Sequence, residues 1–296
     1  MDLTSLYCDV DDLVKNNISL VSKKIESQGK RKYEPRDRKL SQSEVMTICI
    51  AYHQSGYKNF KAFFTSYVTK HMRDQFPDLV SYNRFVELMP ENLELLAMYL
   101  SSRFDNATGI SYIDSTKIQV CKPKRIKRNK VFKDTGKIGK SSMGWFFGFK
   151  LHLLVNECGG ILSVRITQGN VDDRRPVLDM VKNIFGKLFG DKGYISQKLT
   201  DTLLDQGINL ITSVKKNMKN KLLAIQDKIL LRKRSIIETI NDQLKNISDI
   251  EHSRHRSLYN FMVNMLCGLI AYTHQPKKPR ISDMEHSNEV TILAIS

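Results

Sequence analysis

Ile110-Ser111-Tyr112-Ile113-Asp114-Ser115-Thr116-Lys117-Ile118-Gln119-Val120 is the stretch that decides the fold. It is dense in β-branched and aromatic residues, which suit a pleated, half-buried surface, and it reads as a strand. Upstream the texture differs. Residues 1–105 show no strand pattern and read as helical. Ser41-Gln42-Ser43-Glu44 forms a capping box at a helix start. Further helices are expected over 59–70, 82–89 and 92–103, with Gly56 and Pro77 as punctuation. Short helices separated by turns suit a small DNA-binding unit or any helical bundle.

Downstream, Trp145 to Asn156 alternates, and Glu157-Cys158-Gly159-Gly160 makes a turn into Ile161–Thr167, completing a hairpin. Residues 174–185 read as a helix capped by Asp172 or Asp173. A short strand over 187–191, a helix over 196–206 and a strand over 208–214 follow. A long helix is expected from about 222 to 247, and a last one over 257–272. Strands alternating with helices after an initial meander imply an α/β mixed sheet flanked by helices. The ribonuclease-H-like fold has this order. The expected organisation is a small all-helical N-terminal domain over 1–105, an α/β domain over 106–275 and a poorly ordered tail over 276–296, which opens on Gln275-Pro276-Lys277-Lys278-Pro279-Arg280.

Three acids stand out. Asp114 lies inside a hydrophobic strand, where a charge is costly unless a cation or hydrogen bonds compensate it. Taken alone it also fits a strand edge facing water. Asp191-Lys192-Gly193-Tyr194 follows a short strand, at the sheet edge where α/β proteins gather functional groups; an ordinary β-turn reads the same way. Glu238 belongs to Arg234-Ser235-Ile236-Ile237-Glu238-Thr239-Ile240-Asn241-Asp242-Gln243-Leu244-Lys245. On a helix, Arg234, Glu238 and Lys245 fall within about 40° of one another, roughly opposite an apolar stripe of Ile229, Ile236, Ile240, Leu244 and Ile247. The same pattern suits a solvated face with an Arg234–Glu238 ion pair. Two-metal phosphodiester chemistry needs acids of this kind to hold hard cations roughly 3.5–4 Å apart.

Charge points to the partner. The net charge is +16 with 47 Lys and Arg, and such a field attracts polyanions. Between Cys121 and Ser142 nine Lys or Arg face one acid, Asp134. Lys122, Lys124, Arg125, Lys127, Arg128 and Lys130 are therefore candidate phosphate contacts on a flexible arm, with a solvated loop as the plain alternative. Arg234 and Lys245 are candidates on the helix. Five scattered cysteines form no CxxC pair, which argues against a disulfide scaffold or structural zinc. The N-terminus has no signal-peptide order and the longest apolar run, 258–272, is too short to span a bilayer. A cytoplasmic, nucleoid-associated protein is expected.

Together, Asp114 on a strand, Asp191-x-Gly193-Tyr194 and Arg234-x3-Glu238-x6-Lys245 resemble the DDE transposases of bacterial insertion sequences. Arg125-Ile126-Lys127-Arg128 and Ser142-Met143-Gly144-Trp145-Phe146-Phe147-Gly148-Phe149-Lys150-Leu151-His152 resemble the insertion sequence nine-eighty-two family. The resemblance covers about residues 30–280. It implies a ribonuclease-H-like catalytic domain with two Mg²⁺ or Mn²⁺ ions, and Asp114, Asp191 and Glu238 as catalytic acids and metal ligands. It implies cleavage of transposon ends, strand transfer of the 3′-hydroxyl into target DNA, and double-stranded DNA bound by a dimer or larger assembly. Leu231 stands where the family signature has tyrosine. Asp173 is a rival second acid, although helix capping accounts for it. His152 is expected to be a hydrogen-bonded structural residue, and Glu251, His252 and His255 surface residues. Two other functions fit the same residues: a DNA-binding remnant or repressor without catalysis, and a structure-selective nuclease of the same fold.

Overall fold

The stretch 110–120 is the central strand of the sheet. The computed structural model describes residues 2–27, 39–141, 144–213, 223–251 and 255–281. Its strands are β1 (Ile110–Cys121), β2 (Lys137–Ser141), β3 (Gly144–Asn156), β4 (Ile161–Gln168), β5 (Gly186–Gly190) and β6 (Ile208–Thr212). They run in the order β2-β3-β1-β5-β6, and β4 also pairs with β3. β2 takes the first half of β3 and β4 the second, so the two share one edge. The β1–β3, β2–β3 and β3–β4 pairs are antiparallel; β1–β5 and β5–β6 are parallel. This is the mixed sheet expected, with β2 as an added strand that the Lys-rich sequence Lys137-Ile138-Gly139-Lys140-Ser141 concealed.

The Trp-Phe-Phe-Gly-Phe run is the N-terminal half of β3. Gly148 has φ +151°, and a Cβ there would meet the Ile118 carbonyl at 2.2 Å, beside the bulge between Gln119 and Cys121 of β1. Glycine therefore lets the two strands approach.

Helices α1 (Leu3–Ser27), α2 (Gln42–Tyr52), α3 (Phe60–Phe63), α4 (Thr69–His71), α5 (Tyr82–Leu88) and α6 (Leu93–Ser102) precede the sheet. The capping box is present: the Glu44 N–H donates to Ser41 Oγ at 3.1 Å, and the Ser41 N–H donates to Glu44 Oε2 at 2.7 Å. The single helix expected over 59–70 is interrupted by a π-helical turn, Phe64–Val68. The Thr65 and Thr69 hydroxyls bond back to the carbonyls of Lys61 and Thr65, a pattern that bends helices.

Four expectations are corrected here. Residues 174–185 form only α7 (Val177–Met180). Pro176 disfavours helical conformation at Arg175, and Asp172 holds Arg174 in a local turn through its N–H and guanidinium. Beyond α8 (Gln197–Asp205), the long helix is two, α9 (Ile225–Arg232) and α10 (Ser235–Asn246). They join through i→i−3 bonds from Arg234, Ile236 and Ile237, a tight turn that redirects the axis. Ile229 and Ile247 are exposed, and the buried face of α10 is Ile236, Ile237, Ile240, Asn241 and Leu244. Finally, residues 276–281 of the expected tail lie on the β3–β4 turn: the Ile281 N–H donates to the Glu157 carbonyl at 2.8 Å, and Pro279 approaches Gly159. Residues 282–296 lie outside the described residues.

The apolar α11 (Leu258–Thr273) packs against α2, α6 and α10. One hydrophobic core runs from the N-terminal helices through α11 to the β1/β3 face; a second lies on the other face under Val177, Tyr194, Leu199 and Leu203. No described helix is long and apolar enough to cross a membrane. All five cysteines are free.

Candidate functional site

β1 changes character at its middle. Ser111, Tyr112 and Ile113 are buried, whereas Asp114 to Lys117 are half-buried. Parallel pairing with β5 ends at Tyr112↔Phe189, so β1 runs on without a neighbour on that side. The gap opens past the C-terminal end of β5, beside the middle of β1, and α/β sheets place their sites at such strand ends.

Register brings the first two acids together. Asp114 lies two residues after Tyr112, and Asp191 two residues after Phe189. Tyr112 and Phe189 are paired, and their rings stack at 5.4 Å. A two-residue step preserves the face, so register directs Asp114, within β1, and Asp191, just past the end of β5, to the same side. The Asp191 side chain accepts from the Gly193 N–H at 2.8 Å, closing a short turn. A Cβ at Gly193 would lie 2.9 Å from Asp191 Oδ1, which accounts for glycine there. The turn reading of this motif is therefore correct as geometry.

Glu238 comes from the other direction. Because the helix breaks at Lys233-Arg234, Glu238 sits in the first turn of α10, where a carboxylate gains from the exposed N–H groups. α10 packs on β1. Arg234 links the two elements: its Nη2 lies 2.5 Å from Glu238 Oε1 and its Nη1 3.8 Å from Asp114 Oδ1. The Asn241 Nδ2 donates to Asp114 Oδ2 at 3.1 Å. Asn241 was not singled out in the sequence; its one signal is an amide among Ile237, Ile240 and Leu244.

The electrostatics follow from this crowding. Burial pushes the Asp114 carboxyl up to about 7; Arg234 opposes the shift, and the charges of Asp191 and Glu238 add to it. Tyr194, just past Asp191, is buried, and its hydroxyl is pushed well above the ordinary range by burial, then by Asp114, Asp173 and Asp191. The acids thus sense one another. Among the described residues, no three His, Cys, Asp or Glu side chains are already gathered as a metal site. Glu238 is turned to Arg234 and Asp191 to its own loop. Hard divalent cations take carboxylate oxygens, and a half-buried acid crowded by two others is a donor set of that kind. The residues fit such an ion.

The other expected residues divide. Lys122, Lys124, Arg125, Lys127, Arg128 and Lys130 are all exposed. Their segment is not a loose arm. Pro123–Arg128 is a 3₁₀ helix, and Phe132 is buried against Phe149 and Phe261. Lys245, expected to face phosphates, is only 16% exposed and pairs with Glu251 at 3.2 Å. Glu251 also accepts from the Gln119 N–H at 3.1 Å. Arg234 is likewise engaged by acids. Asp173 pairs with Lys150 at 2.8 Å. His152 is fully buried, hydrogen-bonded to Thr167 Oγ1 at 2.8 Å, and paired with Ser115 on the sheet face opposite Asp114. Glu251 and His255 are not surface residues: Glu251 is 15% exposed, and burial holds His255 down to about 4. His252 lies outside the described residues.

Residues 104–258 match the family model described as Transposase DDE domain, more than half of the 296 residues. The chain belongs to this family of DDE transposase domains. A piggyBac transposase, solved by cryo-EM as a synaptic complex with hairpin DNA, aligns with 91% of this chain and 72% of its own at TM-score 0.45 and 9% identity. Among curated proteins none matches.

Proposed function

We propose that this chain is the DNA transposase of a bacterial insertion sequence, of the nine-eighty-two type that its Trp-Phe-Phe-Gly-Phe-Lys-Leu-His run resembles. In this reading Asp114, Asp191 and Glu238 hold two Mg²⁺ or Mn²⁺ ions, and the sheet is a ribonuclease-H-like one. The strand order supports that reading: three antiparallel strands, β4-β3-β1, continued by parallel β5 and β6. When bound, the ions activate the attacking water or 3′-hydroxyl and stabilise the leaving oxygen. The protein's own contribution is to place the carboxylates. Register aligns Asp114 with Asp191, α10 carries Glu238 across, and Arg234 compensates Asp114 and Glu238.

Residues 106–275 form the catalytic domain in this proposal, and residues 1–105 help to bind terminal-repeat DNA. The exposed lysines and arginines of 122–130 contact phosphates sequence-independently. Synapsis of two transposon ends calls for at least a dimer.

The observation that carries the reading is the shared face of Asp114 and Asp191, within a domain of the DDE transposase family, with Glu238 linked to Asp114 through Arg234. It predicts Mg²⁺- or Mn²⁺-dependent nicking of terminal-repeat DNA and joining of the 3′-end to a target. Asp114→Ala should lower cleavage on the order of a thousandfold or more, as expected when an essential catalytic group is removed, while gel-shift affinity for the same DNA persists. Cleavage by Asp114→Ala at the wild-type rate would refute the assignment. Cleavage without strand transfer by the wild type would point instead to a nuclease.

A further inference from the structure

We infer that Asn241 is a positioning residue for the Asp114 carboxylate, clamping one of its oxygens so that the other is presented to the cation side of the site. The inference rests on the proposed role of Asp114 as a metal ligand and deepens it. Asn241 is 6% exposed and belongs to the buried face of α10. Its helical neighbours on that face are Ile237, Ile240 and Leu244, all fully buried. A side chain serving only to pack would be apolar here, because a buried amide needs partners for its donors and its acceptor. Asn241 instead donates through Nδ2 to Asp114 Oδ2 at 3.1 Å, and its own Oδ1 has no hydrogen-bond partner. The amide orientation follows from chemistry, since turning it over would set oxygen against carboxylate oxygen.

The position on the helix matters equally. Asn241 lies three residues after Glu238, nearly one turn, and seven after Arg234. α10 thus meets the β1 acid at two points. Arg234 approaches Oδ1 at 3.8 Å and the Asn241 amide holds Oδ2. The two oxygens of Asp114 thereby receive different partners: a neutral amide donor on one, and on the other the partly exposed guanidinium of Arg234, where a cation would bind. Partners that orient a ligating carboxylate set its affinity for metal. The same contact ties α10 to the middle of β1, so it also fixes how far Glu238 stands from Asp114.

The test uses Mn²⁺ alone as the probe, on the full chain without DNA, with binding read by calorimetric titration at pH 8. Asn241→Leu keeps the side-chain size and removes the donor. It should weaken Mn²⁺ binding by about tenfold or more, while its melting temperature in chelator stays at or above that of the wild type. Asn241→Gln keeps an amide and should regain part of the affinity, which also covers the case in which the leucine variant fails to fold. Mn²⁺ affinity unchanged in Asn241→Leu, or equally reduced in Asn241→Gln and Asn241→Leu, would overturn the inference. Asp114→Ala serves as the control for the underlying reading. It should abolish the binding, and Mn²⁺ affinity unaffected by that change would remove the site itself rather than the role of Asn241.

Discussion

β1 and β3 are neighbours in one sheet and of nearly equal length, yet they are built for opposite ends. From Phe146 onward every β3 residue except Lys150 is buried, and its partners close both edges. β1 is buried as far as Ile113 and then opens, because β5 stops beside Tyr112. Asp114 and Leu153 are directly paired across the two strands. One position carries a carboxylate and the other a fully buried leucine, although both sit among β-formers. The difference lies in whether a third element covers the strand or a helix brings polar groups to it. At Asp114 those groups are Arg234 and Asn241.

The sharpest way to break the contrast is to move the charge. Leu153→Asp would bury a second carboxylate beside Asp114, where the nearby Arg234 is already engaged by Asp114 and Glu238. It should destabilise the fold by about 4 kcal/mol or more, seen as a lowered midpoint in urea or as failure to yield folded protein. If Leu153→Asp is tolerated as readily as a surface substitution, the stated difference between the strands is wrong.

Neutralising the acid should do the reverse. Burial pushes folded Asp114 up to about 7, against 3.8 for the solvent-exposed carboxyl of the unfolded chain, so the folded state holds the extra proton between those values. Stability therefore falls as pH rises from about 4 to about 7 and is flat above. In chelator, Asp114→Asn should raise stability at pH 8 by roughly 1–3 kcal/mol and leave it almost unchanged at pH 4. Melting curves at the two pH values measure it. A loss of stability at pH 8 would show that the carboxylate is compensated better than its surroundings indicate.

The smallest expected effect is on β3 itself. Burial holds His152 down to about 4, so it is neutral when folded, and its contribution is complete above about 6.5 and lost as pH falls towards 4. His152→Gln keeps a hydrogen-bonding group for Thr167 and has no proton to gain. It should reduce the acid-induced loss of stability between pH 6.5 and 4 by roughly 1 kcal/mol. His53, His255 and His274, also held near 4, would supply the rest of that acid limb.

Much of this was legible in the chain. The alternation of β1, β3 and β4, the turn at Gly159-Gly160 and the capping box at Ser41 are local features, and each formed nearly where its pattern placed it. The broken helix was less legible. Ile229, Ile236 and Ile240 continue a helical period across Lys233-Arg234, and nothing at those two residues marks a stop. The break moves Glu238 from mid-helix to a helix start and exposes Ile229 and Ile247. Asp172-Asp173 signalled a cap, but Pro176 cut the helix short. Lys245 looked like a phosphate contact because its partner, Glu251, lies beyond the helix and bonds to the backbone of β1. Asn241 was hidden because an amide among isoleucines carries no periodic signal.

Sequence alone determined most of the kinds of element and the basic segment at 122–133, and it singled out the three acids proposed for the site, because periodicity, turn chemistry and charge are properties of a few adjacent residues. Which acids face one another, which cations are already engaged and which amide holds Asp114 were decided only by the tertiary structure. The contacts that bring Arg234 and Asn241 to Asp114 join residues more than a hundred positions apart. Strand register and the redirection of α10 set them, and neither is written in any local window.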